Sequence, residues 1–383
     1  MKTWIPNPND DTLKLQNLID NAKGICDIQD GVYTISAPLI VHSGTHLRLS
    51  NKAVIRLADN ASCLMLVNDG YIYEETDKDI TIEGGIWDGN NSHQQRINLP
   101  DQGSFYRGVI MRLQYTERLS VRNIVFKDPE AYAIQIKDTD GFTIENISFD
   151  FNMKRPNMDG VHIQGPAKNG IVRNIKGATN DDLVALNCDD GYDDGEKPFV
   201  TQGDIENVII DGLYADNGYT GVRLLSCGST LKNVKITNVF GTYRLYGISF
   251  THHDIIPGAP VWFDGIDIDG VYASKPPQDP PVDERFIKGL DDFYGKGTHD
   301  GMVKEAPIIW FAEGVNCGNI SISNVHRTEK CAVTKAATIQ IDPDVQIEKL
   351  TLRNIDQRFT YENEAPLIKN DGKILNLTTD MNE

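Results

Sequence analysis

The chain has 383 residues, 33 of them glycine, with 40% hydrophobic and 24% charged residues, enough for a large core. Its formal net charge of −18 argues against a nucleic-acid partner, because phosphate binding requires a basic footprint. No run of about 18 apolar residues marks a transmembrane helix, so no membrane partner is expected. Residues 1–9 contain no apolar signal core, which places the protein in the cytoplasm if the chain is complete, and outside it if a leader has been removed. The six cysteines (Cys26, Cys63, Cys188, Cys227, Cys317 and Cys331) form no C-x-x-C pair and read as buried free thiols.

In chain order, residues 10–20 read as a helix with an acidic start and an apolar face of Leu15, Leu18 and Ile19. Short strands follow at 31–35, 39–41, 45–49 and 53–57. From there one pattern, apolar-x-apolar-x-(Asn or Gly)-apolar, recurs about every 23 residues and stretches where loops intervene. Its copies lie at 80–86, 119–125, 142–148, 170–175, 205–213, 231–239, 266–271, 320–325 and 350–355. Asn or Gly at the fifth position suits a bend in the left-handed region, where other side chains meet a steric cost. Stacked asparagines at such bends can bond to one another.

A second strand family alternates with the first, at 108–113, 133–137, 160–164, 183–187, 221–225, 247–251, 307–311 and 338–341. Its outward positions carry large polar groups. A supersecondary unit of this kind buries its face only by stacking on neighbours. The expected fold is all-β: one right-handed parallel β-helix domain over 1–383, with residues 1–23 as a helical cap over the open end. Loops 188–203 and 275–305 adjoin the second family and are expected to wall a groove over it.

Aligning the second family on its inward residues puts Val161 and Ile163 under Val184 and Leu186, then Val222 and Leu224, then Ile248 and Phe250. Asp159 then falls under Asp182, at the coil spacing of about 4.8 Å, with Asp181 offset beside Met158. Adjacent residues of a regular strand face opposite ways, so Asp181 and Asp182 reach one groove only from a turn that enters the strand. Close carboxylates push one pKa up, which suits a general acid beside a general base. Turn chemistry alone also explains these acids, since Asp140-Gly141, Asp211-Gly212 and Asp269-Gly270 are ordinary turns of this chain.

The same alignment predicts one outward row of Arg112, Lys137, Gln164, Asn187 and Thr251 and another of Gln135, His162, Arg223 and Ser249. Such rows suit sugar hydroxyls, with Arg223 for an acidic group. Asp189, Asp190, Asp193, Asp194 and Glu196 lack the spacing of a Ca²⁺ loop and read as solvated. No metal or cofactor is expected.

Asn157-Met-Asp-Gly160 and Asn180-Asp-Asp182 resemble glycoside hydrolase family 28, the polygalacturonases and relatives of the pectate-lyase-like β-helix superfamily, whose pattern is N-T-D-G followed one coil later by G-D-D. Gly84-Gly-Ile-Trp-Asp-Gly-Asn90 is also similar to that superfamily. The resemblance implies an inverting glycosidase acting on a pectin-like polysaccharide or oligosaccharide, with Asp181 as general acid and Asp159 and Asp182 activating the water. The candidate substrate contacts are Arg223, His162, Gln164, Gln135, Lys137, Asn187 and His252. Two family motifs are altered: Thr220 stands for the histidine of G-H-G, and Ser249-Phe-Thr251 replaces R-I-K, which holds a uronate. His252, at the end of its strand, is the candidate replacement for the histidine. A lyase on the same scaffold and a non-catalytic, tailspike-like glycan binder are the alternative readings.

Overall fold

The computed structural model describes residues 5–94, 108–189, 202–253, 262–277, 306–330 and 334–380. It is a parallel β-helix, in which every strand pairing is parallel and each coil hydrogen-bonds to the next. The two predicted strand families fuse into long strands in Met111–Lys127, Ile134–Asp150 and Val161–Lys176, and stay separate in later coils, as in Asp182–Asn187 and Ile205–Gly218. Fusion occurs where neighbouring coils turn at the same position, so that the ladder of hydrogen bonds continues around the corner.

The predicted bend is one column of left-handed residues. Asn123, Asn146, Asn174, Gly212, Asn238, Gly270, Asn324 and Asn354 all have positive φ. Their side chains bond along the axis, with Asn146 donating to Asn123 at 3.0 Å and Asn174 to Asn146 at 2.6 Å. A second column (Asn169, Asn207 and Asn233) does the same.

Inward residues of both families build one continuous core, including Val161, Val184, Val222 and Ile248. The cap is the helix Thr12–Asp20, whose Leu15 and Ile19 close the first coil over Leu39, Leu47, Leu49 and Ile55. Leu18 is exposed: Leu15 and Ile19 are one turn apart on the buried stripe, and Leu18 falls beside it. A short strand, Ile25–Ile28, and a short helix, Asp69–Tyr73, are additions to the predicted elements. Cys26, Cys63, Cys188, Cys227 and Cys317 are buried thiols outside any disulfide, as read from the sequence. Most of loops 188–203 and 275–305 lies outside the described residues, as does Cys331.

Candidate active site

The register places the carboxylates. Val161 pairs with Val184 and Asp182 with Thr220, so Asp159, Asp182 and Thr220 occupy one column on successive coils. Asp182 opens the strand Asp182–Asn187, and Asp181 precedes it on a bend where the Thr179 hydroxyl donates to the Asp181 carbonyl at 2.8 Å. Asp181 is therefore released from strand alternation. One oxygen from each of Asp159, Asp181 and Asp182 lies within 4.8 Å of the others. Asp159 and Asp182 are buried, whereas Asp181 is half-buried and opens toward solvent.

Burial raises Asp181 above the ordinary carboxylate range, against the opposing pull of Arg223, His162 and Arg244. Asp182 is raised further, first by burial and then by the charges of Asp181 and Asp159. These are interacting sites, so the proton they retain belongs to the cluster as a whole. Among the described residues this is the one group of acids close enough to hold an ion. Arg223, at 3.8 Å from Asp182, and His162, at 2.7 Å from Asp159, already answer its charge.

Each predicted substrate contact has a definite place. His162 is buried, with Nδ1 on Asp159 at 2.7 Å, Nε2 facing Gln164 Oε1 at 3.2 Å and its ring stacked on Tyr132 at 4.4 Å. It holds Asp159. Arg223 is half-exposed between Asp182 and Thr251, donating to the threonine hydroxyl at 3.0 Å. Gln135 accepts from Arg112 at 2.8 Å. Lys137, Gln164 and Asn187 line up on successive coils but are only 0%, 2% and 6% exposed, which leaves the lysine no surface for a sugar.

The expected place of Arg112 is corrected. It pairs with Gln135, and Gln114 pairs with Lys137. The run Val109-Ile-Met-Arg-Leu113 offers two apolar frames of equal quality, and the sequence alignment took the one shifted by two residues. His252 is corrected as well. Its Nε2 faces the Glu313 carbonyl at 2.7 Å and its ring leans on Trp262, past the far end of the strand. At about 3.3 Å per residue it is remote from the column of Asp182 and Thr220, so His252 does not stand in for the histidine that Thr220 replaces. Asp189 is buried and accepts from the Ser229 hydroxyl at 3.1 Å. Asp190, Asp193, Asp194 and Glu196 fall outside the described residues.

Arg244 carried no motif, and it acts on Asn180, the first residue of the second one. Arg244, buried, donates to Asn180 Oδ1 at 2.7 Å and to the Thr179 carbonyl at 3.3 Å, and lies over the Tyr219 ring. Asn180 in turn donates to the carbonyls of Arg155 and Met153, and Asn157 reaches Asp181 at 3.3 Å. The turn that carries the acids is thus fixed from both sides. The signal that could have found Tyr219 is its position next to Thr220 in the column.

Residues 71–192 match the model of the glycosyl hydrolases family 28, a stretch that includes all three carboxylates. The likeness read from the sequence is borne out there; the match stops before Thr220, Ser249 and Thr251. No curated protein sequence matches the chain. Among solved structures, the chain is similar to an exopolygalacturonase from Thermotoga maritima, with TM-score 0.54 and 11% identity over 94% of this chain and 88% of that one. It is also similar to a polygalacturonase from Erwinia carotovora, with TM-score 0.51 and 13% identity over 96% and 95%. A tailspike protein of the Escherichia coli bacteriophage HK620 aligns with TM-score 0.59 and 11% identity over 97% of this chain and 64% of the tailspike. At such identities these likenesses speak for the β-helix alone.

Proposed function

We propose that the protein is a glycoside hydrolase acting on a polysaccharide or oligosaccharide related to pectin. The observation that carries this reading is the cluster of Asp159, Asp181 and Asp182 on a bend and a column, inside the segment that matches family 28. Asp181, raised and open to the groove, donates the proton to the leaving oxygen. With the proton shared by the cluster standing on Asp181, Asp159 and Asp182, on neighbouring coils, grip one water, direct it at the anomeric carbon and take up the proton it loses.

Ordinary inverting pairs stand about 6.5–9.5 Å apart and retaining pairs about 5–5.5 Å. In this cluster one oxygen of each acid lies within 4.8 Å of the others, a closest approach that does not decide between the two. Inversion is the reading in which Asp159 and Asp182, paired on neighbouring coils, share one water.

The test is reducing-sugar release from a panel of plant and bacterial polysaccharides. Asp181→Asn is expected to lose about 10³-fold or more while remaining folded, EDTA is expected to leave the rate unchanged, and proton NMR of the first product is expected to show the inverted anomer. Undiminished release by Asp181→Asn overturns the acid. A product absorbing in the near ultraviolet reveals a lyase, and binding without turnover reveals a glycan-binding module.

A further inference from the structure

The carboxylate column does not end at Thr220. Val222 pairs with Ile248, which puts Tyr246 beside Thr220 on the next coil. Tyr246 therefore lies two coils beyond Asp182, about 10 Å along the groove. Its ring stacks on Trp310 at 4.5 Å and 16°. Trp310 stands in the row of Arg223 and Ser249, one coil further on. Both rings are half-buried, so part of each faces outward.

Behind the pair stands one carboxylate, Asp342. Trp310 Nε1 donates to Asp342 Oδ2 at 2.7 Å and Gln340 Nε2 donates to Asp342 Oδ1 at 2.6 Å, which fixes the carboxylate beside the indole. An ionised carboxylate keeps further acceptor sites for hydroxyl donors and repels another carboxylate. The positions at which the related motif carries its cations hold Ser249, 1% exposed, and Thr251, which is occupied by Arg223.

We propose that Tyr246, Trp310 and Asp342 form a substrate subsite that takes an uncharged pyranose. The sugar packs its apolar face against the exposed part of the stacked pair and donates hydroxyl hydrogen bonds to Asp342. A uronate at this position meets the Asp342 carboxylate, while Arg223, the cation whose charge reaches Tyr246, is held by Asp182 and Thr251. The inference rests on the hydrolase reading for its place along the groove, and it names a substrate with a neutral sugar there.

Affinity gel electrophoresis tests it without turnover. Asp181→Asn protein is run through gels containing galactan, arabinogalactan, xylan, glucomannan or polygalacturonate. Retardation by at least one neutral polymer is expected, weakened about tenfold or more by Trp310→Ala and restored in most part by Trp310→Phe. Asp342→Asn, which preserves shape, is expected to raise the affinity for polygalacturonate relative to the neutral polymer. Retardation by polygalacturonate alone, by no polymer, or to the same extent in Trp310→Ala overturns the subsite. Hydrolysis by the parent enzyme is scored separately. Reducing ends released equally by the parent and Trp310→Ala leave the hydrolase standing and remove the subsite, whereas Trp310-dependent retardation without release by the parent does the reverse.

Discussion

At the scale of single residues, the carboxylates are placed at a cost to folding. Asp182 titrates well above the ordinary value of 3.8 because it is buried beside two other acids. Between that value and the raised one, the folded state binds more protons than the unfolded state, so stability falls as pH rises through this window. Asp182→Asn removes the charge and keeps the shape. The variant is expected to melt several degrees above the parent at pH 7, with the two converging as pH approaches 4, as followed by circular dichroism. Equal melting at both pH values would show that the charge is not strained.

His162 acts on the same cluster through Asp159. Its replacement by alanine frees the carboxylate to rotate, and displacement of a reacting group by about 1 Å costs up to about 10²-fold. The expected pattern is a kcat lowered about tenfold or more with KM nearly unchanged. A rise in KM alone would mean that the ring touches sugar, as its position in the outward row suggested.

At the scale of elements, the bends decide what a coil tolerates. Asn146 has φ 56° and two ladder bonds along the axis. Alanine loses both bonds and adds a left-handed penalty of about 1–2 kcal/mol, whereas glycine loses only the bonds. Urea denaturation is therefore expected to rank the parent as most stable, Asn146→Gly next and Asn146→Ala last. Propensity for strands would reverse the order of the two variants. Gly160 matters for a different reason. A Cβ there would stand 2.5 Å from the Leu183 carbonyl and from the Phe149 ring, so Gly160→Ala is expected to shift Asp159 and lose both stability and activity.

These elements show what the sequence carries. The period, the left-handed Asn column and the pairing of Val161, Val184 and Val222 were all readable, because a period-2 pattern with one buried face fixes register. That register brought Asp159 and Asp182 together. It failed at Arg112, where two apolar frames compete. It also said nothing of Arg244, Tyr246 or Trp310, whose roles depend on loops and on partners many residues away. Polar rows were legible as rows, but their exposure was not: Lys137 and Gln164 are buried.

At the scale of the whole molecule, stacked coils bury polar groups wherever a loop departs, and Lys275 is the clearest case. Read from the sequence as the first residue of an outward loop, it turns inward and is 3% exposed. Its Nζ donates to the carbonyls of Leu245 and Pro307, and its backbone N–H faces both oxygens of Glu329, itself bound to Arg327 at 2.8 Å. One side chain thus ties together coils remote in sequence. Burial, helped by Arg327 and opposed by Glu329, lowers its pKa to about 7 from 10.5. Between these values the unfolded chain holds the proton more often than the folded one, so this group makes stability rise with pH from about 7 to 10.5, and its full burden is felt below 7. A chain of net charge −18 gains general repulsion over the same range, so the effect is read by difference. The melting temperature of the parent minus that of Lys275→Met is expected to climb steadily between about pH 7 and pH 10. A constant difference would mean that the lysine keeps its ordinary pKa and that the coils are tied by packing alone.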